Sequence, residues 1–213
     1  MIDHYDWAGG REAMLRSGPD TGPVVVAALP LFEEANRTRA FVVRILRALA
    51  ERGIAGALPD LPGQSESLVP TDAVRLAHLR DAFATAARHA DRTAYALGIR
   101  SGALLDVTAM LGGRWHFAPT TGPDLLRELE RLRQAGGGDE YGGNPVSPIL
   151  LGELPAAGIT AQSRTIRLES DARPADLKVP GAPLWRRTEP DNDPALAASL
   201  ADDIAAWVRA CES

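Results

Sequence analysis

The sequence predicts an α/β protein whose mostly parallel sheet is covered by helices on both faces, and three observations support this prediction. Residues 24–29 form an apolar, β-branched run that Pro30 ends, which is typical of a strand buried on both faces. An apolar stripe at helical spacing follows from Thr38 to Arg52 and stops at Gly53. Strand and helix patterns then alternate along the chain, and such alternation requires right-handed crossover connections.

The later elements are predicted from the same patterns, taken in chain order. Short apolar segments at residues 54–58, 93–97, 115–118 and 164–168 are predicted strands. Apolar stripes predict helices at residues 76–87 and 125–132, and Asp193 as N-cap before Pro194 begins a last helix. The glycine-rich segment 135–144 is typical of the connection where α/β enzymes insert a cap, so we expect a minimal cap.

The composition is that of an ordinary globular protein. The 213 residues are 45% apolar and 24% charged, and we expect one domain spanning residues 1–213. A net charge of −5 with no basic block argues against nucleic acid as a partner.

Without a long apolar stretch or a signal peptide, we expect a cytoplasmic protein with no membrane insertion. The one cysteine, Cys211, excludes an intrachain disulfide and a cysteine-based metal site.

A turn motif lies between a predicted strand and the structure that follows it. Gly98-Ile99-Arg100-Ser101-Gly102 stands where α/β-hydrolases have their nucleophile elbow, Gly-x-Ser-x-Gly. The central residue of that elbow presents its side chain above the sheet, and a guanidinium there cannot attack a carbonyl. Ser101 stands one position late, at the start of the predicted helix. It is the one candidate catalytic nucleophile, although a structural hydroxyl is the favoured interpretation.

The histidines do not complete a catalytic triad. They occur at positions 4, 78, 89 and 116, whereas the triad histidine of α/β-hydrolases follows the last strand. His116 falls inside a predicted strand, which favours a core or surface imidazole. The histidine spacing fits no metal site, and no cofactor is predicted.

Polar residues gather where the predicted strands end. Ligand sites of parallel sheets form at the carboxyl ends of strands, which selects the loops after residues 29, 58, 97 and 168. The candidate ligand-binding residues in the first three loops are Glu34, Asn36, Arg39, Asp60 and Arg100. Two carboxylates, an amide and two guanidiniums either bind an ionic ligand or satisfy one another.

Several of these segments together resemble one family. Residues 30–39 are similar to a Pro-x-x-Glu-Glu-x-Asn-x-Ser/Thr-Arg loop, and residues 98–103 to a Gly-x-Arg-x-Gly-Ala elbow, of the exosortase A system-associated hydrolases of the second type. Residues 60–63, 115–127 and 184–189 resemble the same family. The resemblance covers about residues 20–210 and implies a three-layer α/β-hydrolase-like fold. It also implies a link to the export of surface polysaccharide or sorted proteins.

Three functions follow from these residues. The first is a protein without a Ser-His-Asp triad that binds a small anionic ligand, a carboxylate or phosphate, through Arg100, with Trp185 and Glu189 beside the other candidates. The second is an esterase or thioesterase that uses Ser101 or an activated water, with Glu34 or Asp60 as base. Nearby arginines lower the pKa of such a base and disfavour this mechanism. The third is a non-catalytic scaffold with an export-system partner, and a homodimer is compatible with each.

Overall fold

Eight strands form one sheet in the structure, a computed structural model that describes residues 1–136, 140–141 and 143–213. In chain order the strands are β1 (Ile2–Trp7), β2 (Gly10–Ser17), β3 (Val24–Ala28), β4 (Ala55–Pro59), β5 (Ala94–Ile99), β6 (Gly113–Phe117), β7 (Arg164–Leu168) and β8 (Leu177–Val179). Their order across the sheet is β1-β2-β4-β3-β5-β6-β7-β8. The β1–β2 and β2–β4 pairs are antiparallel, and all later pairs are parallel.

Five α-helices cover the two faces of this sheet. They are α1 (Glu33–Glu51), α2 (Leu76–His89), α3 (Gly122–Gly136), α4 (Pro148–Glu153) and α5 (Pro194–Cys211). Alternate residues of β3 point into two apolar cores, one on each face of the sheet. Val25 and Ala27 pack in the core with α1 and α5, whereas Val24 and Val26 pack in the core with α2, α3 and α4. This is the alternation expected of a strand buried on both faces. The three-layer α/β-hydrolase-like fold predicted from the sequence is therefore confirmed.

Some boundaries differ from the sequence prediction. Helix α1 begins at Glu33 rather than Thr38, so the charged loop after β3 is partly its first turn. The hairpin of β1 and β2 and the short strand β8 were not predicted. Of the glycine-rich segment 135–144, residues 137–139 and 142 lie outside the described residues, and the short helix α4 follows the segment.

Within the described part of the chain, no helix combines the length and the apolar character that crossing a bilayer requires.

Candidate functional site

The turn after β5 holds the backbone of residue 100 in a conformation that residues other than glycine rarely adopt. Arg100 has a φ of 53° and begins a 3₁₀ segment, Arg100–Leu104, instead of the predicted helix. A Cβ at position 102 would collide with the carbonyl oxygens of Ala28 and Leu29, so only glycine allows the turn to pack against the end of β3. The turn therefore has the strained geometry of an elbow, with an arginine at its apex.

The Arg100 guanidinium is buried among carboxylates and an indole ring. Its side chain is 6% exposed, and Nε and Nη2 donate to the two oxygens of Glu34 at 3.2 and 3.3 Å. Nη2 also donates to both oxygens of Glu128 at 3.0 Å. Nη1 lies 3.5 Å from the carbonyl oxygen of Ala118, and the guanidinium carbon stands 5.0 Å from the ring centre of Trp185. A buried guanidinium with these partners is held in one orientation.

Glu34 has an unusual environment for a carboxylate on the first turn of a helix. Burial raises the pKa of its carboxyl above the ordinary value, although the charge and hydrogen bonds of Arg100 lower it. The negative charge of Glu128 raises this pKa further. The lowering expected from nearby arginines is thus outweighed by the loss of water around the Glu34 carboxyl.

The Ser101 hydroxyl is buried and forms a hydrogen bond with the backbone of a neighbouring loop. The residue is 1% exposed, and its Oγ accepts a hydrogen bond of 2.9 Å from the Leu31 amide. Leu31 lies in the loop after β3, which in α/β-hydrolases supplies an oxyanion-hole amide. The hydrogen bond therefore uses the Leu31 amide and one acceptor position of the Ser101 oxygen, and it joins the elbow to the start of α1.

The polar residues predicted to form one site lie in more than one place in the structure. Arg100, Glu34 and Trp185 come together, whereas Arg39 donates to Asp60 at 2.9 Å and to Ser65 at 2.8 Å. Asp60 is almost fully buried, so this pair joins α1 to the end of β4. The structure thus brings together only part of the candidate set.

Two candidates lie away from Arg100. Asn36 is exposed and lines a different cavity, and Glu189 is exposed on the loop before α5.

A cavity of about 180 Å³ opens beside Arg100. Its polar and aromatic lining includes Arg100, Asp171, Arg173, Trp185 and Arg186. Asp171 accepts hydrogen bonds from Arg173 at 2.7 Å and from Arg167 at 2.9 Å. These bonds hold the pKa of the Asp171 carboxyl well below its usual range. The cavity is therefore bordered by fixed guanidiniums and a fixed negative charge.

Three functional candidates were missed by sequence reasoning. Asp171 and Arg173 lie in the loop after Leu168, one of the four strand-end loops in which a site is expected. Glu128 lies on α3, and its contact with Arg100 spans 28 residues of the chain. The rule that sites form at strand ends points to Asp171 and Arg173, but no local sequence pattern distinguishes Glu128 from the other glutamates of α3.

A buried histidine–aspartate pair lies inside the molecule. His116 Nε2 and Asp106 Oδ2 are 2.7 Å apart, and both side chains are fully buried. Arg114 also contacts Asp106, at 3.5 Å. The pair is packed against the elbow, since a Cβ at Gly98 would lie 2.9 Å from the His116 ring. His116 is thus a core residue of β6 and not a triad member after the last strand.

Together the fold and the site define an α/β-hydrolase fold with an arginine elbow. Asp171 and Trp185 follow β7 and β8, so they occupy the loops that come after the nucleophile in the chain order nucleophile, acid, histidine. Across residues 1–136, 140–141 and 143–213, no three His, Cys, Asp or Glu side chains are grouped so as to hold a metal ion.

Solved structures share this fold at low sequence identity. Est1E from Butyrivibrio proteoclasticus, solved with ferulic acid bound, is 12% identical with a TM-score of 0.68, covering 98% of this chain and 99% of that one. A thermophilic esterase from Thermogutta terrifontis, solved with malate bound, is 15% identical with a TM-score of 0.56 and full coverage of both chains.

A third similar structure is the bottromycin epimerase BotH in complex with bottromycin A2. It is 14% identical with a TM-score of 0.57, covering 97% of this chain and 99% of that one. No protein-family model and no curated protein matches the chain. These similarities establish the fold alone, and esterases and an epimerase share that fold.

Proposed function

We propose that this protein binds a small carboxylate or phosphate in the cavity beside Arg100 and does not hydrolyse it. The observation that carries the proposal is the buried guanidinium of Arg100 at the apex of the elbow, where a hydrolase needs a nucleophile. Glu34 and Trp185 hold this guanidinium, and the Arg39–Asp60 pair fixes the adjoining loop.

The charge and size of the cavity favour a small anion. Its lining residues include three guanidiniums (Arg100, Arg173 and Arg186) and one carboxylate, Asp171. Glu34 and Glu128, whose carboxylates pair with Arg100, do not line the cavity. In the part of the chain that the structure describes, Nη1 of Arg100 has one acceptor, a long contact to the Ala118 carbonyl, which leaves a hydrogen for a ligand. A volume of about 180 Å³ equals that of roughly six waters, which suits an acid of phosphate or malate size.

We further propose a role beside exosortase-type export of polysaccharide or sorted proteins. The Glu-Glu-x-Asn loop and the arginine elbow support this role, because both resemble the exosortase-associated hydrolases and both contribute to the Arg100 site: Glu34 from the loop and Arg100 from the elbow. A small acid bound there would act as a signal or a carried group rather than as a cleaved ester.

Titration calorimetry tests the binding proposal with phosphate, malate and benzoate as probes. We expect Arg100→Ala and Arg173→Ala each to weaken the best of these anions by about 10- to 100-fold, since a hydrogen bond to a charged group contributes about 1.5–3 kcal/mol. Arg100→Lys should also weaken binding, because an ammonium lacks the planar fork.

The control is Arg131→Ala, which removes an exposed guanidinium on α3 outside the cavity. Arg173→Ala protects the test against misfolding of Arg100→Ala, because Arg173 is about half exposed and Asp171 keeps its bond to Arg167. Unchanged affinity in both cavity variants, or no binding of any of the three anions, contradicts the proposal.

The raised pKa of Glu34 favours one second candidate, a hydrolase in which this carboxylate activates a water. Both oxygens of Glu34 face Arg100, so the base would have to act from within an ion pair. Hydrolysis of p-nitrophenyl acetate tests it: we expect no turnover above the buffer rate in the wild-type protein. Turnover that Glu34→Gln abolishes and Glu128→Gln retains would establish the hydrolase instead.

A further inference from the structure

A second cavity borders the first turn of α1 on a different side from Arg100. Glu34 of this turn contacts Arg100, whereas Phe32, Ala35 and Asn36 line the second cavity, which has a volume of about 220 Å³. None of the residues that line the Arg100 cavity lines this one. The first turn of α1 therefore contacts Arg100 through one residue and lines the second cavity with others, and we call this second cavity the neutral cavity.

The floor of the neutral cavity is apolar and rigid. It is formed by four residues that are at most 3% exposed and belong to the core on the α2, α3 and α4 side of the sheet: Leu31, Val74, Leu79 and Leu150. These residues come from the loop after β3, from α2 and its approach, and from α4. A buried aliphatic floor with contributions from three elements is suited to the apolar body of a ligand.

The rim of the neutral cavity is polar but carries no charge. Its side chains are amides and hydroxyls, from Asn36, Gln64, Ser65, Thr71 and Asn144. Among the described residues that line the cavity there is no acidic or basic side chain. The neutral cavity therefore differs in chemistry from the arginine-lined cavity. An ionised ligand group placed in the neutral cavity would lose its water without gaining a counter-charge.

Three of the rim side chains have hydrogen-bonding capacity to offer. Within the described chain, the side chains of Asn36, Gln64 and Thr71 make no hydrogen bond, and Gln64 and Thr71 are half-buried. The Ser65 hydroxyl already accepts a bond from Arg39. An amide offers both donors and an acceptor, and a hydroxyl offers one donor and an acceptor. The rim can thus match an amide or hydroxyl on a ligand.

We infer that the neutral cavity is a binding site for an uncharged small molecule that combines an apolar body with an amide or a hydroxyl group. The volume of about 220 Å³ equals that of roughly seven waters, which fits a molecule of benzamide size. The apolar body lies on the aliphatic floor, and the polar group bonds to the Gln64 and Thr71 side chains at the rim.

A matched pair of probes tests this site, with benzyl alcohol and cyclohexanol as further neutral probes. Benzamide and benzoate have nearly the same shape and differ in charge, so their affinities separate the two cavities. In NMR titrations with each probe at up to about 10 mM, we expect benzamide to perturb the signals of residues 64–74. Thr71→Tyr, which fills the cavity, should weaken benzamide at least tenfold, and Thr71→Val, which keeps the size, at least twofold.

The control is Asp72→Tyr, which adds the same ring to the exposed neighbouring residue outside the cavity. Benzamide affinity must also survive Arg100→Ala, so the failure of one proposed site is distinguishable from the failure of the other. The inference is overturned if none of the three neutral probes binds, if benzoate binds there as tightly as benzamide, or if neither Thr71 variant alters benzamide affinity.

Discussion

The hydroxyl oxygen of Ser101 accepts the hydrogen bond of the Leu31 amide, and both residues are buried. Removing the hydroxyl leaves a buried amide without an acceptor, which costs about 1–3 kcal/mol. We therefore expect Ser101→Ala to lower the free energy of unfolding by that amount in urea titrations and to leave anion binding at Arg100 within a factor of two. Both outcomes follow from a structural hydroxyl.

Ser199→Ala is the matched control, because Ser199 is exposed on α5. Its effect should stay within about 0.5 kcal/mol. Equal changes in the free energy of unfolding for the two substitutions would contradict this structural role. So would an ester-cleaving activity of the wild-type protein that Ser101→Ala removes and Ser199→Ala retains.

What the sequence could predict at the residue scale depended on how local the signal is. The elbow is a five-residue motif with fixed geometry, so Arg100 at its apex and Ser101 behind it follow from the order of residues. Glu128 lies on a helix and meets Arg100 only after folding. The balance between burial and the Arg100 charge at Glu34 likewise depends on how much water the surroundings exclude.

Asp203 is the point at which α5 is fastened to two strands. Its carboxylate accepts a hydrogen bond of 2.8 Å from Trp115 of β6 and bonds of 2.9 and 2.6 Å from Arg164 of β7. Burial alone would raise the pKa of Asp203, but the bonds from Arg164 and Trp115 outweigh it, so the pKa lies below the ordinary value. The ionised form therefore stabilises the packing of this helix on the sheet.

This shift predicts how stability depends on pH. A lowered pKa in the folded state stabilises the protein above the unfolded pKa of about 3.9, and the contribution is lost as the pH falls through the folded value. We expect Asp203→Asn to cost about 1–3 kcal/mol at pH 7 and less at pH 3, as measured by urea unfolding at both values.

Asp202→Asn is the control, since Asp202 is 67% exposed and pairs with Arg52 at the surface. An exposed pair contributes about 0–1 kcal/mol. The proposed role of Asp203 is refuted if Asp203→Asn lowers the free energy of unfolding by the same amount at pH 7 and at pH 3. It is also refuted if Asp203→Asn costs no more than Asp202→Asn at pH 7.

The elements that sequence patterns predicted are those whose burial is uniform. Strands β3 and β5 are buried at every position and appear as apolar runs, and the N-cap Asp193 accepts from the Leu196 amide as its position implies. The β1–β2 hairpin was missed because its strands are partly exposed and carry charged residues. Strand β8 has three residues, too few for a period.

At the scale of the whole molecule, the order of strands decided which polar residues meet. Asp60 follows β4 and Arg100 follows β5, and β3 lies between those strands. Two strand spacings separate their ends by roughly 10 Å, so Arg39 pairs with Asp60 while Glu34 reaches Arg100. The sequence predicted that the loops share one edge of the sheet. The spatial order of strands is set by tertiary pairing, which no local pattern records.

The arginine elbow also limits how such a protein can change its chemistry. A serine hydrolase of this fold needs three groups in three loops, and this chain has an acid, Asp171, in the second of them. Position 100 lacks a serine, the chain has no histidine after His116, and His116 itself is committed to Asp106 in the core. Every protein one substitution away therefore lacks at least one member of the triad. A complete triad therefore requires at least two substitutions, one that places a serine at position 100 and one that places a histidine beside it.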